Sequence, residues 1–92
     1  GEEFAIILPV TTLPGGVLFA EQIRRIIAAK PFVSDGNVLK VTISLGVATT
    51  TNESEEVDAK GLIAIADKNL YSAKHSGRNQ VFPSVDILDD EI

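Results

Sequence analysis

The chain has 92 residues, so it makes one small domain at most. Its 45% apolar content is enough for a core and excludes wholesale disorder. A net charge of −5 argues against a nucleic-acid polymer as partner, because that affinity rests on neutralising phosphates. A single nucleotide is different, since local cations and a metal ion can hold it against an unfavourable overall charge. There is no cysteine, hence no disulfide scaffold and no thiolate metal site, which fits the cytoplasm. No apolar run approaches bilayer length and no signal-peptide pattern appears, so no direct membrane contact is expected.

Phe4 to Leu8 is a short continuous apolar run and reads as a buried strand, ended by Pro9. Thr11 and Thr12 can each cap a helix, with Pro14 in its first turn. Gly15-Gly16 weakens that start, so a late beginning is expected. Ala20, Ile23 and Ile27 mark the helix's apolar face, and Glu21, Arg24 and Arg25 a solvated one. Lys30-Pro31 stops it.

Phe32 to Ser34 and Val38 to Thr49 read as two strands joined by a turn at Asp35-Gly36-Asn37. In the second, Val41, Ile43, Leu45 and Val47 form a bulky face for the core. Thr42, Ser44, Gly46 and Ala48 form a small face, on which a helix should lie close. Asp58 is the expected cap of a second helix, whose apolar face carries Leu62, Ala66, Leu70 and Ala73. Gly77 can adopt φ > 0 and should stop it. Tyr71 is expected to pack its ring, and His75 to sit on the surface. Gln80 to Phe82 makes a last short strand, closed by Pro83, and 84–92 an acidic, mobile tail. The order β-α-β-β-α-β implies an α+β fold of the ferredoxin-like kind, helices against a mostly antiparallel sheet.

Two charged groups stand out. Lys74 lies in the second helix's last turn and Arg78 just past its stop; on spacing alone they complement a helix dipole. Glu2 and Glu3 are adjacent carboxylates before an apolar strand; on spacing alone they are solvated charges at a chain end.

The order of residues adds to this. Ala66-Asp-Lys-Asn-Leu-Tyr-Ser-Ala-Lys-His-Ser-Gly-Arg-Asn79 resembles the C-terminal signature of GGDEF domains, the diguanylate cyclase family. Gly1-Glu2-Glu3-Phe4 resembles the end of the family's G-G-E-E-F motif, and Val41 to Ala48 its V-T-x-S-x-G-V-A strand. The three occur in family order and span residues 1 to about 82, giving a domain portion at 1–83 and a tail at 84–92. The resemblance implies the nucleotidyl cyclase catalytic fold, present here as the later part. It places Gly1 to Phe4 on a hairpin turn. Glu2 becomes the main metal-binding carboxylate and the base for an attacking 3′-hydroxyl, and Glu3 supports a second metal. The implied cofactor is Mg2+, with Mn2+ as the alternative. Lys74 and Arg78 match positions that hold the β- and γ-phosphates of GTP.

The implied reaction condenses two GTP into cyclic di-GMP with release of pyrophosphate, in a homodimer with one GTP per subunit. The first metal aspartate and the guanine-reading residues belong to the family's earlier half, so this fragment alone is expected to be inactive. A bare strand edge would also favour a homodimer or a domain-swapped oligomer. An inhibitory arginine, common in the family, falls at Gln22, so that contact lacks its guanidinium. The alternative is a degenerate GGDEF domain acting as a GTP or cyclic di-GMP binding module. Location is expected to be cytoplasmic, with any membrane anchor of the parent in other domains.

Overall fold

The computed structural model describes residues 6, 8, 11–50 and 58–84. Of the buried strand expected at Phe4 to Leu8, Ile6 and Leu8 are described, and both are exposed and outside any strand. Its other residues and the tail beyond Ser84 lie outside the described residues.

Helix α1 spans Leu13–Ala29. Thr12 is its cap: the side-chain oxygen accepts from the Gly15 N–H at 3.3 Å. The helix takes in Gly15 and Gly16 and does not begin late. The Gly16 N–H bonds the Thr12 carbonyl at 2.9 Å, and a Cβ on Gly16 would stand 3.1 Å from Val47 Cγ1. The helical propensity lost at these glycines is offset by the cap and by close approach to the strand beneath. Lys30 closes α1 in an extended conformation (ψ 124°), as the proline after it requires.

Strands β1 (Phe32–Ser34) and β2 (Asn37–Leu39) form an antiparallel hairpin in which Ser34 faces Asn37. The two turn residues, Asp35 (φ 52°) and Gly36 (φ 79°), are both left-handed, the conformation that matches strand twist in a two-residue hairpin.

The single strand expected from Val38 to Thr49 is divided. Its beginning pairs with β1, and β3 (Leu45–Gly46) pairs with β4 (Val81–Phe82). Residues 40–44 lie between these two ladders. Val41 is consequently exposed, against its expected place in the core. The β3–β4 ladder is parallel, held by Leu45 N–H to Gln80 O and Val47 N–H to Phe82 O, both 3.0 Å. One described ladder is therefore antiparallel and the other parallel. Parallel neighbours need a long crossover, and α2 (Ala59–His75) supplies it.

Asp58 caps α2 as expected, accepting from the Gly61 N–H at 2.7 Å. The helix lies directly on β3. A Cβ on Gly46 would run into the Ala66 carbonyl oxygen and the Leu70 backbone, so only glycine admits the helix at this distance. Asn69 Nδ2 fixes the same contact by donating to the Val47 carbonyl at 2.7 Å. Leu45 and Val47 pack instead against Val17, Ala20 and Val81, the buried core under α1. Alternate residues of a strand face opposite ways, so the helices take opposite faces of the β3–β4 pair. The described part is thus a mixed α/β unit with two small sheets.

Candidate phosphate site at the end of the second helix

Lys74 is half-buried in the last turn of α2, and Ser76 caps the helix. Gly77 follows at φ 116°, and the Arg78 N–H reaches back to the Ala73 carbonyl at 3.0 Å. This is the closure in which a left-handed residue ends the helix and the next amide binds a carbonyl in its last turn. It places the Arg78 backbone over the residue beside Lys74, so one helix end carries both cations. The Arg78 side chain is exposed. Gly1, Glu2, Glu3 and Phe4 lie outside the described residues. Among the described residues, no group of three His, Cys, Asp or Glu could hold a metal, and no helix is long and apolar enough to cross a membrane.

The turn after Gly77 is unusual. Arg78 (φ 60°) and Asn79 (φ 50°) are both left-handed without being glycine. Each such residue costs on the order of 1–2 kcal/mol, less for asparagine, so surrounding contacts must hold them. Gln80 Nε2 donates to the carbonyls of Ser76 (2.8 Å) and Arg78 (3.1 Å). The Asn79 N–H donates to Ser44 Oγ at 3.1 Å. Asn79 Oδ1 accepts from Arg24 Nη1 at 2.8 Å.

Arg24 corrects the sequence reading of a solvated face. Glu21 is buried, and Arg24 is largely covered. Arg24 Nε donates to Glu21 Oε1 at 2.9 Å, and Nη2 contacts the same oxygen. Arg25 Nε adds a third bond at 3.1 Å, from a side chain left mostly exposed. The Arg24 hydrogen bond is the main reason that the Glu21 carboxyl is held below its ordinary pKa; burial opposes it. The same bond raises Arg24. The i,i+3 spacing of Glu21 and Arg24 was readable in the sequence, but the reach of Arg24 to residue 79 was not.

Tyr71 is expected to pack its ring and keep its hydroxyl wet. The ring packs 3.9 Å from the His75 ring, one turn on, on a side chain that is otherwise exposed. His75 is on the surface, as expected. Gln22 is exposed too.

Helices on both faces of a parallel strand pair, with a cationic helix end beside it, are consistent with part of a nucleotidyl cyclase fold. The chain belongs to the GGDEF family: the family model described as "Diguanylate cyclase, GGDEF domain" matches residues 1–80. Among curated relatives, it is 45% identical over 83 residues to response regulator PleD of Caulobacter vibrioides, covering 88% of this chain and 18% of that protein. It is 40% identical over 81 residues to diguanylate cyclase A of Treponema denticola (88% of this chain, 21% of that protein). Diguanylate cyclase DgcP of Pseudomonas aeruginosa is also 40% identical over 81 residues (88% and 12%). The chain therefore spans about a fifth or less of these three relatives' lengths.

Proposed function

We propose that the protein containing this chain is a diguanylate cyclase, which condenses two GTP into cyclic di-GMP in the cytoplasm as a homodimer. The observation that carries this reading is the closed end of α2, which puts Lys74 and Arg78 on one rigid turn in a GGDEF-family chain. Lys74 acts as a point charge on the β- and γ-phosphates, and the planar Arg78 fork takes two of their oxygens. Together they orient the triphosphate and stabilise charge on departing pyrophosphate. The 3′-oxygen of one GTP forms a bond to the α-phosphorus of the other as the bond to pyrophosphate breaks. Glu2 takes the hydroxyl proton. Glu2 and Glu3 are hard oxygen donors suited to Mg2+ or Mn2+, which when bound neutralises charge at the reacting phosphate. The sheet of the whole domain would be completed by residues outside this chain, in the ferredoxin-like manner, and the 92-residue fragment alone is expected to make no product.

The test is the full-length protein with Mg-GTP, following binding by titration and product by chromatography. Charge-assisted contacts are worth about 1.5–3 kcal/mol, so Lys74→Ala and Arg78→Ala should each weaken GTP binding roughly ten- to a hundredfold. Tight GTP binding with no turnover would favour the alternative, a binding module. A wild-type protein that neither binds nor converts GTP, and does not bind cyclic di-GMP, refutes both.

A further inference from the structure

We infer that Arg24 is a positioning residue for the triphosphate, acting through Asn79 on the direction in which Arg78 leaves the end of α2. This rests on the GTP reading above.

Among the described residues, Arg24 ties α1 to the turn that carries Arg78. Its Nε and Nη2 are anchored on the buried Glu21 carboxylate, so its remaining edge points in a set direction. Nη1 on that edge meets Asn79 Oδ1 at 2.8 Å. The Asn79 amide is held from another quarter by Ser44, in the segment leading to β3. Residue 79 is thus clamped between α1 and the strand segment. Residue 78, one peptide earlier, is tied by its N–H to the helix and by its carbonyl to Gln80. Both residues occupy the left-handed region, which is costly for Arg78 and less so for Asn79. Release of the Asn79 side chain removes the tether from α1 and lets the turn relax, which re-aims the exposed Arg78 side chain. Arg24 itself spends its guanidinium on Glu21 and Asn79 and need not touch phosphate. Lysine cannot substitute, because a single ammonium lacks the fork that serves both partners.

The experiment uses the full-length protein, with 3′-deoxy-GTP as a ligand that binds without reacting, and thermal melting in parallel. Arg24→Gln and Arg24→Lys should each weaken binding about tenfold, the lower end for one charge-assisted contact. Their effect should appear in KM for GTP more than in kcat. Asn79→Ala should reproduce the loss, and Asn79→Asp, which keeps an acceptor oxygen there, should restore it. In an Arg78→Ala background, Arg24→Gln should weaken binding no further, since the group it aims is gone. If Arg24→Gln does not fold, the Asn79 pair carries the test. Lowered melting with unchanged affinity overturns the inference, and so does a full tenfold loss added to that of Arg78→Ala. If the wild-type protein does not bind the analogue, the GTP reading falls and the inference with it. Wild-type binding that every variant retains overturns the inference alone.

Discussion

Gly46→Ala is the sharpest test of the packing that sets α2 in place. The backbone at Gly46 is not left-handed, so alanine meets no conformational objection there. The objection is steric: the added methyl would overlap the Ala66 carbonyl and the Leu70 backbone and would stand 2.8 Å from Leu70 Cα. These atoms belong to a helix interior and cannot rotate away, so α2 must lift as a body. Overpacking usually costs about 1–3 kcal/mol, and with backbone as the obstacle we expect about 3 kcal/mol or more. Gly36→Ala is the control. Nothing stands within 4 Å of its Cβ, and only its φ of 79° objects. That substitution should cost about 1–2 kcal/mol. The assay is denaturant unfolding of the GGDEF domain followed by circular dichroism, comparing midpoints at constant slope. If Gly46→Ala stays within about 0.5 kcal/mol of wild type, or ranks below Gly36→Ala, the close helix–strand contact is wrong.

Two further outcomes follow from single side chains. Asp58→Ala should cost about 1 kcal/mol in the same unfolding assay by stripping the α2 cap, and Asp58→Asn should recover most of it. An equal loss for both variants would assign the effect to charge. The Glu21 carboxyl has a folded pKa below its unfolded value, so its contribution is fully present above the unfolded carboxylate pKa of about 4.3. That contribution drains away as pH falls through the depressed folded value. Stability measured against pH should therefore drop less steeply on the acid side for Glu21→Gln than for wild type, and parallel acid limbs would refute this.

Much of the local structure was legible because local chemistry decides it. The Thr12 and Asp58 caps, the stop at Lys30-Pro31 and the turn at Asp35-Gly36 each follow from a few adjacent residues. The small face at Gly46 announced a helix, since an unfilled strand face must be covered. The end of α2 was readable from Gly77, and with it the common location of Lys74 and Arg78.

What tertiary structure alone decided depends on partners distant in sequence. The division of Val38 to Thr49 into two strands, and the parallel sense of the second ladder, follow from which segment lies alongside, not from alternation within the segment. Burial turned Glu21 and Arg24 from an apparently solvated pair into an anchor, because Asn79, 55 residues from Arg24, comes to lie against it. A sequence pattern records which side chains can share a helix face, whereas only the packed chain determines which of them lose water and therefore need a partner.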